Sequence, residues 1–387
     1  MDSAPIAYLD NAATTRCDPR VAEAVERFLL EEYGNPSSVH PLGVRAARAL
    51  REARETLARL LDADPSGIVF TSGGTEANNL AVLGFARALR SRGKHLVVSA
   101  IEHPSVLGAA RALEGEGFET TVVPVDRAGR VDPARIASAL RAETVFVAVM
   151  LANNEIGTVE PVAEIARAVR AGAPRAAFHV DAVQAFGKIP VSIRAIGADS
   201  ISLAAHKIHG PKGVGALVLA SGRKPAALLF GGGQEANLRS GTENLPGIVG
   251  FALAASLAVE ALETEAPRVR GLREKLARGL AVALPDLVRN GDPERSVPTI
   301  LSAVFPGVPG EVLLHHLEAR GVYVSTGAAC HAKQADSSHV LLACGLPEEV
   351  VRSTIRFSLG RFTTEGDVSR AIGAVPALVA ELRALAS

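Results

Sequence analysis

The chain has 387 residues, of which 48% are hydrophobic and 21% are charged, a composition ordinary for a globular protein with a sizeable core. The 41 basic residues equal the 41 acidic ones, so charge indicates neither a nucleic-acid partner nor an anionic membrane surface. No apolar run approaches the ~18 residues of a membrane helix, so we expect no membrane partner.

The three cysteines are Cys17, Cys330 and Cys344. Their odd number and low density do not fit a disulfide framework. A reducing compartment fits best, and the sequence therefore predicts a cytoplasmic protein.

Seven short runs rich in β-branched and apolar residues predict the strands of one sheet. They lie at residues 67–70, 95–99, 120–125, 144–151, 176–181, 200–205 and 214–220. Helical patterns separate them, and many spacings are close to the ~25 residues of a strand plus a crossover helix. Nearly continuous apolar strands indicate burial on both faces. We therefore predict an α/β fold with a mostly parallel seven-stranded sheet.

The pattern changes after about residue 258. One long helical pattern covers roughly 251–284, and short strands follow at 299–305, 322–326 and 354–360. These elements predict a smaller α+β domain, which the extended N-terminal run IAYLDNAATT joins. We expect a large domain over 16–258 and a small domain over 1–15 and 259–387, with a loop at about 325–338.

A strand at 68–70 leads through Thr-Ser-Gly-Gly-Thr into an amphipathic helix. Glycines allow close backbone approach, and free N–H groups at a helix start favour an anion. Gly74 and Thr75 therefore form a candidate phosphate cradle. The run is neither G-x-G-x-x-G nor a Walker A motif, so dinucleotide and ATP binding are poorly supported, and an ordinary strand-to-helix turn remains an alternative.

Polar residues follow several of the other predicted strands: His103, Asn154, Asp181, Gln184 and His206. Each has an ordinary interpretation, such as a core histidine, a turn former or a helix cap. Ligands of open α/β sheets bind beyond the carboxyl ends of strands, where all five would meet. Together they predict a binding site at that edge.

Lys207 is the most informative of the strand-end residues. The chain has only 7 lysines against 34 arginines, and this one follows an apolar strand. A lysine desolvated there becomes a nucleophilic amine, although a side chain that reaches out to solvent is the alternative.

These parts together suit pyridoxal phosphate. That cofactor needs a lysine, a carboxylate for the pyridine nitrogen, a phosphate cradle and a group flat against the ring. Lys207, Asp181, Gly74 with Thr75, and His103 can fill these roles in turn.

Ten motifs occur in the order expected of one family. They are YLDNAATT, NPSSVH, FTSGGTEANN, EHPSV, NNEIGTV, HVDAVQAFGK, AAHKIHGPKGVGAL, GGGQEANLRSGTEN, STGAACH and IRFSLGRFTT. Over nearly its whole length the chain resembles the cysteine desulfurases, which are fold-type I pyridoxal-phosphate enzymes of the aminotransferase class V group.

The resemblance implies roles for the residues around the cofactor ring. Lys207 forms the Schiff base, and His103 stacks on the ring and is available to move protons. Asp181 pairs with the pyridinium nitrogen, Gln184 contacts the phenolic oxygen, and Asn154 lies beside the cofactor.

The phosphate and the substrate have their own implied partners. Gly74, Thr75 and His206 hold the phosphate, and Thr242 from a neighbouring subunit completes that site, which implies a homodimer. Arg356 binds the substrate carboxylate with Asn35 assisting, and a guanidinium suits that task physically.

Cys330 lies in the run STGAACHAKQ at 325–334 and looks like the nucleophile. The resemblance implies that its thiolate attacks the sulfur of L-cysteine, that alanine leaves, and that Cys330 carries a persulfide to an acceptor protein. Iron–sulfur cluster biogenesis, tRNA thiolation and selenium metabolism all remain open as destinations for the sulfur.

The sequence departs from the family pattern at Ala204, where a serine that touches the phosphate is common. Phosphate binding would then lean more on Thr75, His206 and Ser202. His331 follows Cys330 where common desulfurases place Ser or Thr, and this keeps a selenocysteine lyase as the alternative function.

Two weaker alternatives are a class V aminotransferase, which needs no Cys330, and a non-catalytic interaction protein, which needs no Lys207. No metal site is predicted, because His315 and His316 fit a helix face better than a ligand set.

Overall fold

The computed structural model describes residues 6–326 and 337–386. Its strands are β1 (Ala7–Tyr8), β2 (Ile68–Thr71), β3 (His95–Ser99), β4 (Glu119–Val123), β5 (Thr144–Ala148), β6 (Ala177–Asp181), β7 (Ser200–Ala204), β8 (Gly215–Leu219), β9 (Val288–Asn290), β10 (Ile300–Val304), β11 (Val322–Tyr323) and β12 (Thr354–Ser358). Its helices are α1 (Pro19–Leu30), α2 (Pro41–Leu61), α3 (Gly74–Leu89), α4 (Pro104–Glu114), α5 (Pro133–Ala139), α6 (Val162–Gly172), α7 (Ile193–Ile196), α8 (Leu245–Glu260), α9 (Leu262–Ala283), α10 (Gly310–Ala319), α11 (His339–Ala343), α12 (Glu348–Arg352) and α13 (Glu365–Ala386).

The largest sheet has seven strands in the order β2-β8-β7-β6-β5-β3-β4. The neighbouring pairs from β7 to β4 are parallel, and only β8 runs against the strands on either side of it. The predicted α/β fold with a mostly parallel seven-stranded sheet is thus confirmed. Because β2, β3, β5, β6 and β7 point the same way, the residues that follow them share one edge.

Both faces of this sheet are buried, as the continuous apolar strands predicted. On β3, Val97 packs into one hydrophobic cluster with Phe178 of β6. Its neighbours Leu96 and Val98 pack into another cluster on the opposite face, with Phe146 of β5. Alternation along each strand therefore holds helices on both sides.

The C-terminal part has its own sheet and its own hydrophobic cluster. β12, β10 and β9 form an antiparallel sheet, and β1 pairs in parallel with β11. Leu276 of α9, Phe305, Phe357 and Val375 of α13 belong to one cluster. The N-terminal strand therefore does join the C-terminal elements. We propose the domain division at about residue 258, which these separate clusters support.

The single long helix predicted over 251–284 is wrong: the structure has α8 and α9, which bend by 75° where they meet. Phe251 of α8 packs against the large sheet, whereas Leu276 of α9 packs in the C-terminal cluster. The chain turns at Ala261 because its apolar residues belong to two different cores. Within the described ranges no single helix is long and apolar enough to cross a membrane, and only this bent pair meets the length and composition test together.

A buried ion pair fastens the loop between β8 and α8 to the sheet. Both carboxylate oxygens of Glu235 accept hydrogen bonds from Arg54 of α2 at 2.7 and 2.9 Å, and one also accepts from Phe70 N–H at 2.8 Å. Glu235, Ala236 and Asn237 all have positive φ angles of 45–62°. Three successive left-handed residues are costly, so the ion pair offsets backbone strain.

We expect Glu235→Gln to lower the free energy of unfolding by about 2–3 kcal/mol, because it leaves the Arg54 charge without its carboxylate. The matched control is Glu52→Gln on α2, the helix that carries Arg54. Its partner Arg48 is 71% exposed, so a loss of only about 0.5 kcal/mol is expected. Urea unfolding of both variants checks this, and equal losses would contradict it.

Glu102 links the ends of β3 and β5 and is fully buried. Its Oε1 accepts hydrogen bonds from Ser99 Oγ at 2.5 Å and from Met150 N–H at 2.7 Å. Its Oε2 has no partner in the described part of the chain. Burial raises the pKa of Glu102 to about 8. The carboxyl is therefore protonated at neutral pH and sits directly before His103.

The raised pKa makes stability depend on pH. Between about pH 4.5 and 8 the folded state keeps a proton that the unfolded state releases, so stability contributed by Glu102 falls as pH rises. Glu102→Gln mimics the protonated form. We expect its stability relative to the parent to increase from pH 5 to pH 8 by more than about 1 kcal/mol. Urea unfolding across this range measures it, and a constant difference would refute the assignment.

Candidate active site

The helix that starts after β2 supplies an anion cradle. Gly73 has a φ of 155° and a Cβ on Gly74 would lie 2.8 Å from Val183 Cγ2, so both positions favour glycine. The Thr75 side chain is exposed. The first-turn N–H groups lie at the carboxyl edge of the sheet, where they can bind a phosphate.

Asp181 ends β6 and is held by a buried hydrogen-bond network. Its Oδ2 accepts from Asn78 Nδ2 at 2.7 Å, and its Oδ1 accepts from Val183 N–H at 2.9 Å. The Asn78 Nδ2 group also donates to Ser105 Oγ at 2.8 Å. Three elements thus orient one carboxylate: α3, β6 and the start of α4.

His179 and Ser202 belong to the same hydrogen-bond network. His179 Nε2 is 3.0 Å from Asn78 Oδ1 and 2.9 Å from Ser202 Oγ, which also contacts Asn78 Oδ1. Burial lowers the pKa of His179 to about 3, so the ring is neutral. We expected Ser202 at the phosphate. Its fully buried hydroxyl contacts Asn78 and His179, because alternation along β7 turns it toward Asn78, and its role at the phosphate stays a prediction.

Sequence reasoning missed Asn78, Ser105 and His179. Asn78 lies inside the quoted motif FTSGGTEANN, and His179 interrupts an otherwise apolar strand. A buried polar residue on an apolar face needs a partner, and that was the available signal. The partners themselves could not be named, since 27 to 124 residues of chain separate Asn78 from them.

Lys207 lies in the turn after β7 and points at the N-terminal segment. Its Nζ donates to the carbonyls of Ala12 and Ala13, each at 2.6 Å. Gln184 Nε2 donates to the same Ala12 carbonyl at 2.9 Å. His206 Nδ1 lies 3.2 Å from Thr14 Oγ1. Burial and the nearby Lys207 charge lower the pKa of His206 to about 4, so this ring is neutral.

His103 caps α4, and its position follows from that cap. The ring Nδ1 accepts a hydrogen bond from Ser105 N–H at 3.1 Å and lies 2.8 Å from Ser105 Oγ. Ser105 also contacts Asn78, which holds Asp181. The ring therefore belongs to the same network as the carboxylate.

Arg356 lies on β12 and reaches the same region from the small sheet. Its Nη2 donates to Asp10 Oδ1 at 2.9 Å and its Nη1 to the Asn154 carbonyl at 3.0 Å. Its buried Nε has no partner among the described residues. The backbone of Arg356 pairs with Ser325. The guanidinium is therefore fixed and still has hydrogens to offer a carboxylate.

Three predicted residues are not brought to this site by any described contact. Asn35 is exposed and accepts a hydrogen bond from Ser37 N–H at 2.8 Å. Thr242 is exposed in the loop before α8. Cys330, like His331 after it, lies outside the described residues. The roles of these residues stay predictions.

The donor set fits pyridoxal phosphate. Asp181 offers a fixed carboxylate, Lys207 an amine, and the Gly73–Gly74 turn a cradle that side chains would fill. These are the three groups that the pyridine nitrogen, the aldehyde and the phosphate of that cofactor require.

The aminotransferase class-V family model matches residues 7–371. The chain is 43% identical to a cysteine desulfurase IscS of Dictyoglomus turgidum, over 98% of this chain and 95% of the relative. It is 46% identical to one of Anaeromyxobacter dehalogenans, over 97% and 93%. A solved NifS-like protein shares 38% identity and a TM-score of 0.92, over 97% of this chain and 100% of that one. The chain therefore belongs to the aminotransferase class-V family.

Proposed function

We propose that this chain is a pyridoxal-phosphate-dependent cysteine desulfurase that converts L-cysteine to L-alanine and keeps the sulfur as a persulfide on Cys330. One observation carries the proposal: the Lys207 amine and the Asp181 carboxylate lie at neighbouring strand ends, beside the helix start that suits a phosphate. The relatives reported above are named cysteine desulfurases, which favours cysteine over selenocysteine as substrate.

When bound, pyridoxal phosphate supplies an electron sink for the bond that breaks at the substrate Cα. Lys207 is the amine that holds it covalently. Asp181 keeps the pyridine nitrogen protonated, and Asn78 fixes the carboxylate for that purpose. Gly74, Thr75 and the neutral His206 would hold the phosphate, and His103 and Asn154 would hold the ring.

Arg356 binds the substrate carboxylate. The Asn154 carbonyl and Asp10 hold two of its nitrogens, so the planar fork has one orientation. Asp10 also offsets part of the positive charge when no substrate is present. Asn35 assists Arg356 in this proposal, although its observed contact is with Ser37.

Cys330 is the sulfur acceptor. Its thiolate attacks the substrate sulfur, so an S–S bond forms as the bond between that sulfur and Cβ breaks. The carbon keeps the electron pair and is protonated, which gives alanine. Described residues on both sides of 327–336 support this role. Ser325 pairs with Arg356, and Ser338 donates to Glu155 at 2.5 Å, next to Asn154.

We further propose a homodimer in which Thr242 completes the partner's phosphate site. Its support is a group of exposed apolar side chains around the turn from α1 to α2: Leu29, Leu30, Tyr33, Val39 and Val44. Such clustered exposure marks an interaction surface. A protein that accepts the sulfur, and a cytoplasmic location, remain parts of this proposal.

Lys207→Ala tests the cofactor assignment. We expect the parent to show an absorbance band near about 420 nm and the variant to lose it, because the covalent link is gone. Lys212→Ala is the matched control, an exposed lysine five positions away that should keep the band. A parent protein that stays colourless after cofactor addition would contradict the proposal.

Cys330→Ala tests the sulfur step. We expect alanine formation from cysteine to fall by at least about 100-fold while the absorbance band is retained, because the nucleophile is lost and the cofactor site is not. The control is Cys344→Ala. Cys344 is buried, and burial raises the pKa of its thiol to about 12, so it should not react. Full activity in Cys330→Ala would contradict the mechanism.

A further inference from the structure

A second lysine lies close to the cofactor lysine. Lys188 follows β6 in the run HVDAVQAFGK and is one of only 7 lysines in the chain. Its Nζ donates to Gln184 Oε1 at 2.6 Å. The roles proposed above do not use this amine.

Lys188 and Lys207 are joined by a continuous chain of hydrogen bonds. Lys188 donates to the Oε1 of Gln184, whose Nε2 donates to the Ala12 carbonyl at 2.9 Å, and Lys207 donates to that same carbonyl at 2.6 Å. Because an ammonium only donates, Lys188 forces the oxygen of Gln184 toward itself. The amide nitrogen then donates one hydrogen to the Ala12 carbonyl and has a second hydrogen to offer the cofactor.

The backbone holds Lys188 in this place. Gly187 has a φ of 71°, and a Cβ there would lie 2.9 Å from both Ala258 and Ile208. Lys188 N–H also donates to the Ala185 carbonyl at 3.0 Å. This tight turn returns the chain so that position 188 meets position 184.

The Lys188 charge has no carboxylate within ion-pair distance in the described part of the chain. Burial, together with the Lys207 and Arg356 charges, lowers its pKa to about 7. Lys188 lines a cavity of about 60 Å³. Charged or titratable groups that line this cavity with it are Lys207, His209, Glu265 and Arg361.

We propose that Lys188 is a positioning residue of the active site: it fixes the amide of Gln184 so that its nitrogen donates toward the cofactor, and it adds a positive charge beside Lys207. This rests on the proposed function. Below the Lys188 pKa of about 7, its charge opposes retention of a proton on the Lys207 nitrogen once that amine carries the cofactor. The correctly turned Gln184 amide would also oppose retention of this proton. Its N–H would stabilise the phenolic oxygen of the cofactor as an anion, and that oxygen would otherwise share the proton.

Lys188→Met removes the donor and the charge but keeps the length of the side chain. We expect the pH midpoint of the absorbance band near about 420 nm, measured without substrate, to rise by roughly 0.5 unit or more. Lys188→Arg keeps both donor and charge and should return the midpoint toward the parent value. Lys224→Met removes an exposed lysine charge and should leave it unchanged.

The outcomes separate the two proposals. A parent without the band fails the proposed function itself. If the parent shows the band, and Lys188→Met binds the cofactor fully with an unshifted pH midpoint, only the role of Lys188 is overturned. Thermal unfolding of the cofactor-free variants reports on folding. If Lys188→Met does not fold, Lys188→Gln, which keeps an N–H donor without charge, should still shift the midpoint upward. No shift there, or failure of both variants to fold, would leave Lys188 a packing role and overturn the proposal.

Discussion

The active site depends on one buried side chain, Asn78. Its amide nitrogen binds Asp181 and Ser105, and its oxygen faces His179 and Ser202. A buried amide must have all these partners at once, since each lost hydrogen bond would leave a desolvated polar atom. The position of α3 relative to β6, β7 and α4 is therefore fixed by the same contacts that aim the carboxylate.

The N-terminal segment carries this arrangement across to the second domain. Asn11 and Ala12 donate backbone hydrogen bonds to Ser358 of β12, while Thr15 N–H donates to the His206 carbonyl at 2.9 Å. The Ala12 carbonyl between them accepts from both Gln184 and Lys207. A short segment, which turns at residues 11–13, thus connects the strand that bears Arg356 with the turn that bears Lys207. Movement of one domain against the other would change both.

Local patterns predicted the large sheet well, because the continuous apolar sequence of each strand indicates that both of its faces are buried. They also placed Asp181, Lys207 and the glycine cradle at one edge, since parallel topology brings strand ends together. They failed where the answer depends on distant partners. The helix over 251–284 divides because its two halves serve different cores, and the Asn78 amide finds partners on other strands and helices. Neither fact can be inferred from residues that are adjacent in the sequence.

Charge explains why the site suits an anionic cofactor and a substrate with a carboxylate. Lys188 and Lys207 are linked through Gln184 and the Ala12 carbonyl. The Lys207 and Arg356 charges lower the pKa of Lys188, and the Lys207 and Lys188 charges lower that of His206. Arg356 forms an ion pair with Asp10. Lys188 donates to an amide oxygen, and Lys207 donates to two backbone carbonyls. An incoming phosphate or carboxylate would relieve this repulsion, so the energy stored among the three cations is available for binding.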